Sequence, residues 1–314
     1  MLFFRMSSFG DIVLTFPLIN EVKKEYPECE IHVFTKNAYK ELFELNKNID
    51  KVLTYDESSV FLNRRIVKQE KYDFIADLHK NLKSFFITRF QGVPVSVIKK
   101  DTLKKMFLVW FKKSFFSEII PVYKRYFLAV ENVIELKNSD YRISVLDCGE
   151  KPLVEGSYVL IAPSSKHFTK ALPKEKFELI INSINSTKVV LAGDKSDKDF
   201  LICDYLSKKF KNTENYCGRT DFKQLANLIK YAKFIICNDS GVLHLAEALN
   251  KKVYVFFGST VKEFGFYPQL KTTEIFEISG LKCKPCTHIG RDKCPEEHFR
   301  CMNDIIIPDF NKKL

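Results

Sequence analysis

This 314-residue sequence lacks any apolar run of the roughly 20 residues that a transmembrane helix needs. It also lacks a charged leader with a cleavage site, because the N-terminus leads directly into an apolar strand pattern over Leu2 to Met6. The first absence predicts that no helix spans a membrane. The second predicts a protein that stays in the cytoplasm.

An even number of cysteines is also absent, since the sequence has nine. An odd number in a reducing compartment argues against a disulfide framework, and five scattered cysteines are interpreted as packing residues: Cys29, Cys148, Cys203, Cys217 and Cys237. The other four lie in one C-terminal stretch: Cys283, Cys286, Cys294 and Cys301. Because only one C-x-x-C pair is present, a zinc knuckle and a set of reduced thiols are both open, with thiols favoured.

The dinucleotide-binding pattern G-x-G-x-x-G is missing as well, although the N-terminus has the strand, turn and helix plan of a nucleotide-binding unit. The strand Leu2 to Met6 is followed by a short loop and a predicted helix over Ile12 to Lys24. A dinucleotide ligand is therefore not expected. The sequence does have a carboxylate, Asp11, at the carboxyl end of the first strand, which is where functional residues of open α/β sheets lie. The alternative interpretation of Asp11 is a helix N-cap.

Short β-rich runs alternate with helical stretches in both halves of the chain, which predicts an α/β protein with parallel sheets. The length suffices for two domains of ordinary size. A polar segment with two glycines and a proline, DCGEKPLVEG at 147–156, reads as the linker between them. We therefore expect domains at 1–150 and 151–314.

The segment FIICNDSGVLHLAEAL at 234–249 predicts a buried strand, a polar turn and an amphipathic helix. Asp239, Ser240 and Gly241 lie where a helix leaves unpaired N–H groups at its positive end, which is a favourable place for a phosphate. His244 lies one turn beyond Ser240 on the same helix face. The alternative is that Asp239 or Ser240 only caps the helix.

A second phosphate-type element lies upstream, where the predicted strand Tyr158 to Ala162 opens into a loop rich in hydroxyls and cations. Ser164 and Ser165 have hydroxyls to donate to a phosphate, and Lys170 is a point charge just ahead of a helix. A solvated loop is the alternative, because lysine is abundant throughout this chain.

Four motifs follow one another along the chain: M-S-S-F-G-D-I-V-L-T-F-P at 6–17, Y-D-F-I-A-D-L-H-K-N-L-K-S at 72–84, T-K-A-L-P at 169–173 and N-D-S-G-V-L-H-L-A at 238–246. Together they resemble the ADP-heptose:lipopolysaccharide heptosyltransferases, glycosyltransferase family 9. The tail, with C-K-P-C at 283–286 and C-P-E-E-H-F-R-C-M at 294–302, is similar to the cysteine-bearing tail of many members. The resemblance extends from Met1 to about Ile306.

The resemblance implies a GT-B fold, in which two Rossmann-like domains face each other across a cleft, with the acceptor in the N-terminal domain and the nucleotide sugar in the C-terminal one. It also implies inverting transfer of a heptose from ADP-heptose to the inner core of a lipopolysaccharide precursor. Asp11 would then take the acceptor proton as general base. Lys170 and the helix at Ser240 and Gly241 would stabilise the leaving ADP without a metal or a cofactor.

The other roles that the resemblance implies are carried over residue by residue. The donor-binding set is Ser164, Ser165, Lys170, Asp197, Thr220, Asp239, Ser240, Gly241 and His244. The acceptor-binding set is Ser8, Gly10, Lys83 and Arg125. Two positions depart from the family pattern, since Asp197 stands where many members carry Glu and Lys124 replaces a usual Glu beside Arg125.

The stretch 99–125 contains a basic aromatic block, KKDTLKKMFLVWFKKSFF at 99–116. In it an apolar run that includes the only tryptophan, Trp110, is surrounded by six lysines: Lys99, Lys100, Lys104, Lys105, Lys112 and Lys113. With a net charge of +11, this block favours an acidic partner, namely an anionic membrane surface and a lipid A/Kdo-type glycolipid acceptor. We expect it on the acceptor side, at the inner face of the inner membrane. A buried helix with a solvated lysine fringe is the alternative.

Two other functions compete with glycosyl transfer. A basic protein with a zinc knuckle is typical of nucleic-acid binding, although we expect no nucleic-acid partner here. A GT-B epimerase would act on a nucleotide sugar without an acceptor.

Overall fold

The alternation of apolar strands and amphipathic helices is found in the computed structural model, which describes residues 1–141, 146–184 and 186–314. The strands are β1 (Leu2–Phe4), β2 (His32–Lys36), β3 (Lys51–Tyr55), β4 (Ile75–Asp77), β5 (Val95–Val97), β6 (Tyr158–Ala162), β7 (Lys188–Leu191), β8 (Thr213–Asn215), β9 (Ile235–Asn238), β10 (Val253–Phe257) and β11 (Thr273–Glu277). The helices are α1 (Phe9–Val13), α2 (Phe16–Glu25), α3 (Lys40–Glu44), α4 (Val60–Gln69), α5 (Leu82–Thr88), α6 (Thr102–Phe111), α7 (Val122–Val130), α8 (Lys174–Ser183), α9 (Asp197–Lys209), α10 (Phe222–Tyr231), α11 (Gly241–Ala248) and α12 (Arg300–Asn303).

The strands form two sheets, and every strand pairing within them is parallel. The first sheet has the order β3-β2-β1-β4-β5 and the second has the order β11-β10-β9-β6-β7-β8. In each sheet the chain builds outward from a central strand and then returns to its other side. The prediction of an α/β protein with parallel sheets is therefore confirmed.

The reversal of strand order creates one special place in each sheet. Connections leave β1 and its neighbour β4 in opposite directions, and the same holds for β6 and its neighbour β9. In open parallel sheets the crevice at the carboxyl ends of two such strands is where ligands bind. The fold thus marks two candidate sites before any side chain is considered.

The predicted helix over Ile12 to Lys24 is divided into α1 and α2. Pro17 lies in the first turn of α2, where its missing N–H and fixed φ are tolerated but where a continuous helix would lose a hydrogen bond. Thr15 precedes α2, and its hydroxyl donates to the carbonyl of Ile12 at 2.7 Å. This break limits α1 to one short turn that follows β1.

The chain divides into two compact units, of which the first comprises residues 1–100 and 120–147 and the second 101–119 and 148–314. The basic aromatic block thus groups mostly with the second unit, whereas the sequence interpretation placed it with the N-terminal half. Lys105 lies 5.7 Å from the ring centre of Phe266, and Lys112 Nζ donates to the carbonyl of Pro285 at 2.6 Å. Among the residues described, no helix is both long and apolar enough to cross a bilayer.

The segment predicted as a linker is attached to α10 of the second unit. The buried Asn227 donates from Nδ2 to the carbonyls of Cys148 and Lys151 at 2.7 and 2.8 Å, and its Oδ1 accepts from the N–H of Leu153 at 2.9 Å. One side chain therefore satisfies three backbone groups that a mobile linker would leave to water.

Replacing Asn227 with Ala should lower the free energy of unfolding by about 2–3 kcal/mol, because three backbone groups lose their partner. Urea unfolding followed by circular dichroism would measure this. Lys230→Ala is the matched control on the same helix, since the Lys230 ammonium donates one exposed hydrogen bond, to the Gly149 carbonyl at 3.3 Å, and lies 5.2 Å from the Tyr231 ring centre. Equal stability of the two variants would contradict the role given to Asn227.

Candidate functional site

Asp11 lies at the carboxyl end of β1, in the first turn of α1, and is held on both carboxylate oxygens. Oδ1 lies 2.7 Å from Arg5 Nη2, and Oδ2 accepts from the Ser8 hydroxyl at 2.7 Å. The Ser8 N–H also approaches Oδ2 at 3.4 Å, as in a capping box. Ser8 is the N-cap of α1 and Asp11 is the third helical residue of the capping box, so the interpretation of Asp11 as the N-cap is wrong, and its carboxylate remains about one-fifth exposed.

The buried Arg5 holds the Asp11 carboxylate in this position. Its guanidinium donates to the carbonyls of Ser7 at 2.7 Å and Leu78 at 2.5 Å, as well as to Asp11. Burial alone would lower the pKa of Arg5, but the facing Tyr126 hydroxyl and Asp11 carboxylate raise it above the usual value. Arg5 is thus a permanent cation that positions the Asp11 carboxylate.

The loop after β4 lies beside this pair because β4 is the neighbour of β1 in the sheet. Asp77 accepts from the N–H groups of His79 and Lys80 at 2.9 and 2.8 Å, and from the Ser84 hydroxyl at 2.6 Å. Among the residues described, His79 Nδ1 is buried without a hydrogen-bond partner. Burial, together with the positive charge of Arg5, lowers the pKa of His79 to about 3.

His79 should therefore make the protein less stable in mild acid. Its pKa is lowered in the folded state, so the unfolded chain takes up the proton first and stability falls as the pH drops below about 6.5. Replacing His79 with Gln should flatten the slope of unfolding free energy between pH 6.5 and 5, by up to about 1.4 kcal/mol per pH unit. Identical slopes for wild type and variant, measured by urea unfolding, would contradict the neutral imidazole.

The residues predicted to bind the acceptor all lie in the first unit. Ser8 and Gly10 adjoin Asp11 at the start of α1. Lys83 is an exposed residue of α5 whose ammonium lies 4.8 Å from the Tyr55 ring centre. Arg125 is largely buried in α7 and donates to the carbonyl of Ile120 at 3.0 Å. No ligand contact tests these four assignments, so their roles stay predictions.

Tyr126 links α7 to this region. It is fully buried, and its hydroxyl donates to the backbone carbonyl of Asp11 at 3.3 Å. Arg5 lies 5.7 Å from its ring centre. Burial raises the pKa of Tyr126 above its usual range, so the phenol stays protonated as a donor. Neither Arg5 nor Tyr126 is among the predicted site residues. A charged residue inside an apolar strand pattern is nevertheless a sequence signal that could have indicated Arg5.

In the second unit, Asn238 joins the two connections that meet at the reversal of strand order. It ends β9 and is completely buried. Its Oδ1 accepts from the N–H of Leu172 at 3.0 Å, and its Nδ2 donates to the carbonyls of Pro163 at 2.9 Å and Ser164 at 3.3 Å. The loop after β6 is therefore fixed beside the turn that begins α11.

Asp239 and Lys170, predicted from separate motifs, form a close ion pair with 2.7 Å between Oδ2 and Nζ. Asp239 is buried, and the same oxygen accepts from the Thr260 hydroxyl at 2.7 Å. Thr260 was missed by the sequence analysis because no charge or motif marks it. The pair places a partly exposed ammonium beside the first turn of α11.

Ser240 and Gly241 begin α11, which has eight residues. Ser240 does not cap the helix with its side chain, and its buried Oγ has no hydrogen-bond partner among the described residues. Ser240 therefore occupies the N-cap position of α11 without the side-chain hydrogen bond of a cap. His244, one turn later, is buried and lies 6.2 Å from the Phe266 ring centre. A hydroxyl that can still donate a hydrogen bond at a helix N-terminus is suited to an anionic ligand.

The close contact between the segment after β10 and the loop after β6 depends on Gly258. A Cβ at this position would lie 2.5 Å from the carbonyl oxygen of Thr169 and 2.8 Å from a Met302 side-chain carbon. Only glycine lets the segment after β10 approach the loop after β6 so closely. Ser259 consolidates the contact, with its N–H donating to the Thr169 carbonyl at 3.2 Å.

The remaining residues of the predicted donor set lie in the loops of the same unit. Ser164 and Ser165 follow β6, and Ser165 is buried. Asp197 is an exposed first residue of α9, while the neighbouring Asp199 is engaged with the N-cap Ser196. Thr220 precedes the N-cap of α10. The structure brings Lys170 and Asp239 into contact, but no contact joins Asp197 or Thr220 to them.

All nine cysteines are described, and none forms a disulfide. In the tail, Cys283 Sγ lies 3.9 Å from His298 Nε2. Burial, reinforced by the nearby Cys286 and Cys294, raises the pKa of Cys301 to about 12, which favours its thiol form. Within residues 1–141, 146–184 and 186–314, no three His, Cys, Asp or Glu side chains are grouped to hold a metal ion. The choice between thiols and zinc stays a prediction.

Comparison with known proteins decides the family. A family model described as glycosyltransferase family 9 (heptosyltransferase) matches residues 61–297, which is most of the chain. The chain belongs to glycosyltransferase family 9. Lipopolysaccharide heptosyltransferase 3 of Escherichia coli is 25% identical over 279 residues, which cover 80% of this chain and 81% of that protein.

Solved structures agree on the fold. Heptosyltransferase WaaC of E. coli, solved with ADP, superposes with a TM-score of 0.72 at 15% identity, over 87% of this chain and 92% of that one. The E. coli ADP-heptose LPS heptosyltransferase II superposes with a TM-score of 0.68 at 17% identity, over 96% and 97% of the two chains. The predicted GT-B fold class and the family resemblance are therefore confirmed, and the protein is a glycosyltransferase.

Proposed function

We propose that this family 9 glycosyltransferase moves a heptose from ADP-heptose to the inner core of a lipopolysaccharide precursor, with inversion at the anomeric carbon. The observation that carries the proposal is the Lys170–Asp239 pair beside the unpartnered Ser240 hydroxyl at the start of α11. Hydroxyl, ammonium and helix N-terminus together suit a pyrophosphate. Family membership favours transfer over an epimerase or a zinc-dependent nucleic-acid binder.

The donor would occupy the loops around the β6 and β9 ends. Ser240 and the first N–H groups of α11 would donate to the phosphates. The Lys170 ammonium, which pairs with Asp239, would also donate to them. Ser164, Ser165, Gly241 and His244 would complete this contact. Asp197 and Thr220, in the loops after the neighbouring strands, would bind the ribose and adenine.

Chemistry requires that the C1–O bond to the pyrophosphate break while an acceptor hydroxyl attacks the opposite face. Asp11 would take the hydroxyl proton, and the bond electrons would leave with ADP. Arg5 and Ser8 support this role because they hold the carboxylate at one position while leaving it partly exposed. Gly10, Lys83 and Arg125 would bind the acceptor in the same unit.

Replacing Asp11 with Asn should lower kcat by about 10²–10⁴-fold, because the amide keeps the size of the carboxylate but cannot accept the proton. ADP affinity, measured by calorimetry, should stay close to that of the wild type. Asp73→Asn, an exposed carboxylate in the same unit, is the control for removing one negative charge. Wild-type turnover in the Asp11 variant would remove Asp11 from the mechanism.

Replacing Lys170 with Ala should weaken ADP binding by about ten- to a hundredfold and lower kcat, since a charged hydrogen bond to the phosphates is lost in both ground and transition states. Lys166→Ala is the matched control, because Lys166 is an exposed lysine of the same loop. Equal ADP affinity in both variants would contradict the donor site.

The proposal includes stabilisation of the leaving ADP by these groups without a metal ion at the phosphates. Asp239, the carboxylate nearest the proposed phosphate position, already accepts from Lys170 and Thr260 through one oxygen. Transfer should therefore survive EDTA. Loss of activity with EDTA that Mg²⁺ restores would overturn the metal-free account.

We place the enzyme at the cytoplasmic face of the inner membrane, where a lipid A/Kdo-type acceptor would be embedded. The basic aromatic block supports an anionic membrane partner, because Leu103, Trp110 and Phe111 are exposed along α6 among its lysines. Its packing against the second unit means that charge reversal there must be checked for effects on ADP affinity as well as on the acceptor.

A further inference from the structure

Helices α4 and α5 of the first unit bury Val67 and Ile87 in the core but expose other large apolar residues to solvent. On α4, Asn63 and Val67 are buried, whereas Phe61 is 82% exposed. On α5, Ser84, Ile87 and Thr88 are buried, whereas Leu82 is 78% exposed. These exposed apolar residues lie outside the buried face by which a surface helix packs on its domain.

Three of the exposed rings form a cluster. Phe85 lies 5.7 Å from Phe86 and 6.4 Å from Phe90 between ring centres, and Phe90 is 74% exposed. Arg64 of α4 donates to the carbonyl of Phe90 at 3.2 Å and lies 5.8 Å from its ring, which connects the two helices. Together with the other exposed apolar residues of α4 and α5, the cluster makes up the α4–α5 surface, which comprises Phe61, Leu62, Leu82, Phe85, Phe86 and Phe90.

The charge on this surface has one sign. Residues 60–69 and 82–91 contain five cations and no carboxylate: Arg64, Arg65, Lys68, Lys83 and Arg89. Among the described residues, only Lys83 of these five has an acidic neighbour within 4 Å, namely Glu57 at 3.9 Å. Phe61, Arg65 and Lys68 follow at i, i+4 and i+7, so the cations share the face of the exposed ring.

We propose that the α4–α5 surface docks on an anionic lipid bilayer, with its rings in the acyl boundary and its cations at the headgroups. Exposed aromatic side chains among arginines and lysines, of which Lys83 alone has a described acidic neighbour within 4 Å, match the chemistry of an anionic membrane interface. A symmetric dimer through the same patch would bring uncompensated cations against each other. Docking of this kind needs no membrane-spanning helix.

The position of the surface relates it to the proposed transfer. Lys83, at the start of α5, is predicted to contact the acceptor, and Asp11 belongs to the same unit. Docking would therefore present the acceptor site to a lipid-anchored substrate. This consequence rests on the proposed function, whereas lipid binding itself does not.

The test is sedimentation with vesicles of phosphatidylcholine alone or with phosphatidylglycerol added. Wild-type protein should bind the anionic vesicles more tightly, with the difference fading as salt rises. Replacing Phe61, Leu82, Phe86 and Phe90 with Gln should weaken this binding by about tenfold or more. Replacing Arg65, Lys68 and Arg89 with Gln, which keeps every ring, should do the same.

A matched control replaces four exposed apolar residues of the second unit with Gln: Leu153, Leu179, Leu201 and Ile306. It should bind vesicles as the wild type does. Undiminished binding by both α4–α5 variants, or equal wild-type binding to neutral and anionic vesicles, would overturn the proposal. So would a loss of binding in the control as large as in the variants.

Activity separates this proposal from the proposed function. The ring variant should keep its kcat with a water-soluble acceptor lacking acyl chains and lose rate with acceptor embedded in vesicles. Equal loss on both acceptors would show that the patch is not a docking surface. If the wild type transfers heptose to neither acceptor but binds vesicles as described, the proposed function fails and the lipid surface stands.

Discussion

Reversal of strand order in each parallel sheet is the constraint on which the rest of the molecule depends. At each reversal two neighbouring connections leave in opposite directions and expose strand ends whose backbone groups need partners. One side chain answers this need on each side: Arg5 donates to loop carbonyls after β1 and β4, and Asn238, at the end of β9, pairs with an N–H group and a carbonyl of the loop after β6. The residues predicted to do chemistry are then placed by backbone that is already fixed.

Each of these two places also holds an ion pair, and the more exposed member is a carboxylate in one pair and an ammonium in the other. At Asp11 the cation is buried and the carboxylate is the more exposed member, whereas at Lys170 the carboxylate is buried and the ammonium is the more exposed one. A paired charge costs less to bury than a single one. In the proposed mechanism the first pair would supply the base, and the second would supply a cation that contacts the phosphate as well as Asp239.

The sequence predicted the central strands because their apolar runs are continuous, but it missed β8 and β11. Both are edge strands with half-buried or exposed residues, so no apolar run marks them. The motifs predicted to face ligands were recognisable in the sequence because glycine, hydroxyl and carboxylate residues follow apolar strands. Thr260 and Tyr126 were not, because their importance arises from contacts across about 21 and 115 residues of chain, which no local pattern encodes.

The same distinction explains why a local sequence pattern indicates the basic aromatic block but not the α4–α5 surface. In the block the lysines form three pairs within 15 residues of sequence, whereas the surface is assembled from two helices separated by β4. Its rings also occupy positions that a sequence pattern assigns to a core. Burial of Asn63, with hydrogen bonds to the carbonyls of Asp56 and Ser59 at 2.7 and 2.6 Å, rotates α4 so that Phe61 faces water. A polar side chain in the interior thus determines which apolar side chain is left for a partner.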